Sequence, residues 1–152
     1  MRRKDREITD RAEMEAILME AQVCRLALAD GGEPYCVPLC FGYAGNTLWI
    51  HSAREGRKID LITRNPRCCV EVDICGGPIP DKLPCSWEFR YRSVICTGRA
   101  QVTNDPEEKR TGLACILRHY GAGEYSFTEN DLDRVCIIKI EVDGMTGKKH
   151  GC

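Results

Sequence analysis

The chain is short of several things, and each shortage excludes a class of protein. No apolar run approaches the roughly 20 residues that a membrane-spanning helix needs. The basic start Met1-Arg2-Arg3-Lys4 gives way to Asp5, Glu7 and Asp10, so the apolar centre of an export signal is missing. The basic residues themselves read as a solvated tail, and the expected compartment is the cytoplasm. There is no excess of positive charge. The net charge is -1 and aromatic residues make up only 7%, which argues against a basic, aromatic-studded nucleic-acid surface. No Gly-x-Gly-x-x-Gly fingerprint is present, so no built-in nicotinamide fold is expected. Histidines number three.

Cysteine is the exception to this sparseness, with eleven residues, yet no Cys-x-x-Cys pair occurs. The nearest pairs are Cys36/Cys40 and the adjacent Cys68-Cys69. A metal or iron–sulfur site is therefore not expected. Without an export signal a disulfide framework is not expected either. Cys24, Cys36, Cys40, Cys69, Cys96 and Cys136 fall in apolar, strand-like runs, where a thiol behaves as a small hydrophobe.

Periodicity and turn chemistry divide the chain. Thr9-Asp10-Arg11-Ala12-Glu13 is a helix start with Asp10 as cap and Glu13 placed for a capping box, and Met14, Ile17, Leu18 and Ala21 share one helical face. Strands are expected over 23–29, 35–43 and 47–51, separated by Asp30-Gly31-Gly32 and Ala44-Gly45-Asn46, as a three-stranded meander. A helix follows Gly56 and stops before Pro66. Next come a strand over 68–74, an irregular stretch from Cys75 to Cys85, and a long strand over 89–102 in which Gly98 suggests a bulge. Asp105-Pro106-Glu107-Glu108 starts a third helix that ends near Gly121. The last strand is expected over 135–142. The order α-β-β-β-α-β-β-α-β implies a mainly β fold. We expect a six-stranded antiparallel barrel with helices packed outside, as one domain over residues 1–152.

The stretch from Leu48 to Ile62 carries the most chemistry. It begins as a strand and ends as a helix, and His51, Ser52, Arg54, Arg57 and Lys58 lie between, with Gly56 at the bend. Free N–H groups at a helix start, the helix dipole, a hydroxyl and cations all favour an anion such as phosphate. Pro38, inside a strand, marks an edge or a bulge because it cannot donate to a ladder.

Taken in order, these motifs resemble the flavin-binding split-barrel proteins of the pyridoxamine 5′-phosphate oxidase-like superfamily, and within it the nitroimidazole-resistance group. The resemblance rests on the N-terminal Met1 to Ile8, on Arg25-Leu-Ala-Leu leading to Pro34-Tyr-Cys-Val-Pro-Leu-Cys-Phe, on Ile50-His-Ser-Ala-Arg-Glu-Gly-Arg-Lys, on Tyr91-Arg-Ser-Val-Ile-Cys-Thr-Gly and on Ile140-Glu-Val-Asp-Gly-Met-Thr-Gly-Lys. It implies a split-barrel homodimer holding FMN at the subunit interface. Val37, Pro38, Leu39 and Cys40 would lie along the isoalloxazine ring. His51 and Ser52, following Ile50, would lie near the ribityl chain and phosphate, with Arg57 and Lys58 on the phosphate. Trp87, Arg92 and Ser93 would approach the cofactor from a neighbouring strand, with the partner subunit as one source.

The implied activity is FMN-dependent reduction of a small electrophile such as a nitroaromatic, with His51 as candidate proton donor. The chain ends in Thr146-Gly-Lys-Lys-His-Gly-Cys, without the arginine- and tryptophan-containing segment of the pyridoxamine oxidases proper, which argues against vitamin B6 oxidation. The alternative is a non-catalytic flavin- or haem-binding protein on the same barrel, with His51 or His119 as an axial ligand.

Overall fold

The computed structural model describes residues 3–152; Met1 and Arg2, the latter part of the basic start, lie outside the described residues. The elements are β1 (Glu7–Ile8), α1 (Arg11–Glu20), β2 (Cys24–Asp30), β3 (Glu33–Leu39), β4 (Gly42–Ala44), β5 (Thr47–Ser52), α2 (Arg57–Arg64), β6 (Arg67–Ile79), β7 (Glu88–Thr103), α3 (Pro106–His119), α4 (Glu129–Asp133) and β8 (Cys136–His150), with short 3₁₀ turns at Lys4–Arg6 and Pro84–Ser86. All strand pairings are antiparallel. The ladder runs β3-β2-β6-β7-β8-β5-β4, and β1 joins β8.

The ladder path is open, with β3 at one end and β4 at the other, yet both ends share one core. Val37 and Leu39 of β3 pack on the same cluster as Tyr43 of β4, Leu48 and Ile50 of β5, Val70 and Val72 of β6, Val94 of β7 and Ile138 and Ile140 of β8. The sheet therefore curls around a single apolar centre as a split barrel. Met14, Ile17 and Leu18 of α1 close part of it. A second cluster of Trp49, Cys115, Ile116 and Ile137 seats α3 on the outer face of β5 and β8. The approach is close: a Cβ at Gly42 would meet the Cys115 carbonyl carbon at 2.7 Å, and one at Gly112 would meet the Trp49 ring at 2.9 Å.

Local chemistry accounts for the connections. Gly31-Gly32 and Gly45-Asn46 all have positive φ, the twist that two-residue hairpins require. Asp10 caps α1 by accepting from the Ala12 N–H, and Asp105 caps α3 by accepting from the Glu108 N–H at 2.9 Å. Gly98 lies at a register shift as expected: β8 carries the extra residue Asp143, and a Cβ at Gly98 would stand 2.2 Å from the Glu141 carbonyl oxygen.

The structure corrects several expectations. There are eight strands among the described residues, not six. The run 35–43 is two strands, because the chain leaves the β2 ladder at Cys40–Phe41 and starts a new hairpin with β5, so the meander is broken. The stretch after Cys75 is not a loop at first. β6 continues to Ile79 across a bulge at Gly76, where an added Cβ would stand 2.9 Å from the Arg90 Cβ. The last strand does not stop at Val142, since β7 offers partners up to His150. Glu13 forms no capping box; its carboxylate instead takes Lys149 Nζ at 2.7 and 3.0 Å. The box occurs on α4, between Thr128 and Asp131.

Candidate functional site

The candidate residues gather where the barrel is split. β3 is an edge strand: β2 satisfies one side and its other edge has no ladder partner among the described residues. This meets the requirement set by Pro38. Side chains alternate, with Tyr35, Val37 and Leu39 half-buried on the core and Cys36, Pro38 and Cys40 exposed. Val37 and Leu39 thus face inward, while Pro38 and Cys40 face out. Beside Cys40, the Tyr120 hydroxyl accepts from the Phe41 N–H at 3.2 Å and donates to the Gln22 carbonyl at 2.7 Å, pinning the turn from β3 to β4. Burial pushes the Tyr120 phenol up to about 12.

At the other side of the split, β5 ends in Ile50, His51 and Ser52. Ile50 is wholly within the core, so only its backbone is available to a ligand. His51 is exposed opposite Ile137, and Ser52 is buried opposite Cys136. Two residues later the Arg54 guanidinium donates to the Asp133 carbonyl at 3.2 Å. Gly56 then adopts φ 122° and ψ 169°, a conformation open essentially to glycine alone, and α2 begins.

The start of α2 differs from the other α-helix starts. No side chain caps it, whereas Asp10, Asp105 and Thr128 cap α1, α3 and α4. The Gly56 carbonyl takes the N–H groups of Ile59 and Asp60 at 2.9 and 3.1 Å. The N–H groups of Arg57 and Lys58 bond no described residue. Neither side chain meets a described carboxylate, while Arg25, Arg64, Arg67, Arg92 and Arg110 all do. The Arg57 guanidinium instead lies over the Tyr35 ring, 5.0 Å from its centroid. That cation–π contact reaches from α2 to β3 and brings the two sides of the split together. Two unpaired cations, two unbonded N–H groups and the positive end of a helix dipole form an anion cradle beside an apolar edge strand.

Trp87, Arg92 and Ser93 are not brought to this corner. Trp87 is exposed and donates its indole N–H to the Asp81 carbonyl at 3.0 Å. Arg92 is held by both carboxylate oxygens of Glu20, at 3.0 and 2.7 Å. Ser93 is half-buried between Asp73 and Lys148. A cleft of about 330 Å³ lies close to this group, lined by residues that include Glu20, Val23, Arg25 and Asp73. Its walls come from the end of α1, the start of β2 and β6, not from β3.

His119 is committed elsewhere. Its Nε2 is 2.8 Å from the Ala21 carbonyl, its ring packs on Phe41 at 4.5 Å, and its Nδ1 is buried without a partner. Among the described residues no group of three or more metal-ligating side chains occurs. The thiols are free. Burial pushes Cys24 and Cys96 up to about 12 and Cys68 up to about 11, which makes them neutral packing groups. Two residues at the corner had no sequence signal. Tyr35 reads only as a strand aromatic, and Lys109 belongs to a charged run that looks solvated.

A model of the pyridoxamine 5′-phosphate oxidase family matches residues 10–149. The chain belongs to that family. Its fold is similar to a solved protein of Bacteroides thetaiotaomicron named for 5-nitroimidazole antibiotic resistance, with 36% identity and a TM-score of 0.82 over 93% of this chain and 85% of that one. The FAD and haem binding protein of Mycobacterium smegmatis shares the fold at 21% identity and a TM-score of 0.87, over 97% of this chain and 74% of that one. The flavocytochrome Anf3 of Azotobacter vinelandii shares it at 18% identity and 0.83, over 100% and 72%. An uncharacterized protein of Rhizobium meliloti is 27% identical over 94 residues, and the match spans 62% of this chain and about half, 55%, of that relative.

Proposed function

We propose that this family member is an FMN-dependent oxidoreductase that reduces a small electrophile, such as a nitroaromatic, and works as a homodimer. The observation that carries the reading is the uncapped start of α2, where Arg57 and Lys58 lack described carboxylate partners and Arg57 reaches β3 through Tyr35. A phosphate dianion fits that donor set, and a flat apolar ring fits the edge that follows it.

FMN, when bound, supplies the two-electron redox chemistry. The protein binds and orients. Arg57, Lys58 and the first N–H groups of α2 hold the phosphate, with Ser52 at the end of β5 beside them. Backbone groups on the free edge from Val37 to Cys40 would hydrogen-bond a flavin, and Val37 and Leu39 would supply apolar surface that excludes water. His51 is the exposed imidazole nearest this turn, and its ring nitrogens are the candidate source of a proton for the reduced substrate.

The arm between β6 and β7 supports a dimer. Residues 80–90 are all exposed, and Leu83, Trp87 and Phe89 are 60%, 55% and 46% accessible. A second copy would cover them and bring Trp87, Arg92 and Ser93 towards the cofactor. No helix among the described residues is long and apolar enough to cross a membrane.

An absorbance spectrum of the purified protein tests the reading. Flavin bands, with FMN released on denaturation, are expected. A nicotinamide donor should bleach them and a nitroaromatic should restore them. Loss of FMN is expected from Arg57→Ala with Lys58→Ala; full retention would refute the phosphate cradle. The second reading is a flavin or haem binder without turnover, favoured by the similar fold of the Mycobacterium smegmatis protein. His119 is too engaged to ligate haem, which leaves His51. A Soret band, or flavin that no electron acceptor reoxidises, would decide for that reading.

A further inference from the structure

Lys109 is buried where its sequence neighbours suggest exposure. It follows Glu107 and Glu108 on α3, yet it is 4% accessible, and it pairs with no described carboxylate. Its Nζ donates to the Leu132 carbonyl at 2.7 Å. The next carbonyl, that of Asp133, accepts from Arg54 Nη1 at 3.2 Å. Both carbonyls belong to the last turn of α4, where helix acceptors lack intrahelical partners and the dipole favours cations. The other end of α4 is closed by its own capping box and tied to α3 by Arg110 and Glu129 at 2.7 Å. This five-residue helix therefore grips α3 with one cation and the turn after β5 with another. The chain passes from α4 almost at once into β8, whose first residue, Cys136, lies opposite Ser52 and donates its thiol to the Ala53 carbonyl at 3.2 Å. Burial raises the Cys136 thiol's pKa, while the charges of Lys58, Lys109 and Arg54 pull it down, so the three cations surround one corner.

We propose that Lys109 and Arg54 are positioning residues for the anion turn. Acting through the last carbonyls of α4, they fix residues 53–56 and with them the direction of the free N–H groups and cations at the start of α2. The inference rests on the flavin-phosphate reading above. A role in stability alone would weaken every ligand equally. A role in positioning the turn weakens only what the phosphate contributes.

FMN and riboflavin differ by that phosphate, so the ratio of their dissociation constants isolates it. The ratio is measured by flavin fluorescence quenching for the wild type, Lys109→Met and Arg54→Met, alongside melting temperatures. In either variant the preference for FMN should fall about tenfold, the worth of one charge-assisted hydrogen bond, with riboflavin affinity unchanged. If Lys109→Met does not fold, Arg54→Met, at an exposed site, carries the same test. An unchanged ratio with a lowered melting temperature would overturn the proposal and leave the phosphate reading intact. A wild type that binds neither flavin, or both equally, would overturn the phosphate reading and this proposal with it.

Discussion

At the residue scale the strongest constraint at the candidate site is Gly56. Its φ of 122° is required for the strand to turn into α2 with its first N–H groups outward. A Cβ there would meet nothing within 4 Å, so replacing the glycine introduces backbone strain and no clash. Gly56→Ala should cost about 1–3 kcal/mol, or a melting temperature lower by several degrees for a chain of this size. The same strain turns the N–H groups of Arg57 and Lys58 away, so FMN retention should fall with stability. Calorimetry and flavin content of the purified variant check both; an unperturbed melting temperature would show that the turn does not need glycine. Arg57 differs in kind. Its guanidinium has no described carboxylate partner, so removing it should affect ligand binding far more than folding.

At the element scale the split barrel depends on how closely α3 approaches β4 and β5. A Cβ at Gly42 would stand 2.7–2.8 Å from the Cys115 and Ile116 backbone, and backbone cannot rotate away as a side chain can. Gly42→Ala should therefore push α3 outward and destabilise by about 1–3 kcal/mol, in the range of an overpacked core. In a Trp87→Phe background the fluorescence of Trp49, which packs under α3, should shift to the red on Gly42→Ala; an unchanged spectrum would show that α3 does not move. The same elements show what the sequence made legible. Caps at Asp10 and Asp105, the two glycine hairpins and the bulge at Gly98 were readable because each depends on local backbone chemistry. The Leu48–Ile62 stretch was readable as an anion turn for the same reason. The break at Cys40–Phe41 was not, because it depends on β5 pairing with β8, some 90 residues away. The extensions of β6 and β8 were hidden by glycines that look like turns: Gly76 sits at a bulge in β6, while Gly144 and Gly147 are paired within the β8 ladder. The burial of Lys109 was hidden because its acceptor, the Leu132 carbonyl, comes from a short helix that composition does not announce.

At the scale of the whole molecule, the eleven cysteines set a limit at alkaline pH. Three thiols line the barrel interior, and burial raises Cys24 and Cys96 to about 12 and Cys68 to about 11 from an ordinary 9.0. Below pH 9 both folded and unfolded chains keep these protons, and the full stability is present. Above pH 9 the unfolded chain releases them while the folded chain holds them until pH 11–12, so stability falls as pH rises through that window. Each thiol contributes a slope of up to about 1.4 kcal/mol per pH unit. Against a total stability of about 5–15 kcal/mol, three such slopes are large. Tyr120 and Lys139, both with raised values, act in the same direction at higher pH. Denaturant midpoints measured between pH 7 and 11 should be level to about pH 9 and then fall steeply. Cys96→Ala should lower the midpoint at neutral pH, through the lost packing, but make the alkaline fall shallower. A midpoint that stays level to pH 10.5 in the wild type would mean that the interior thiols ionise in place and that the barrel centre admits water.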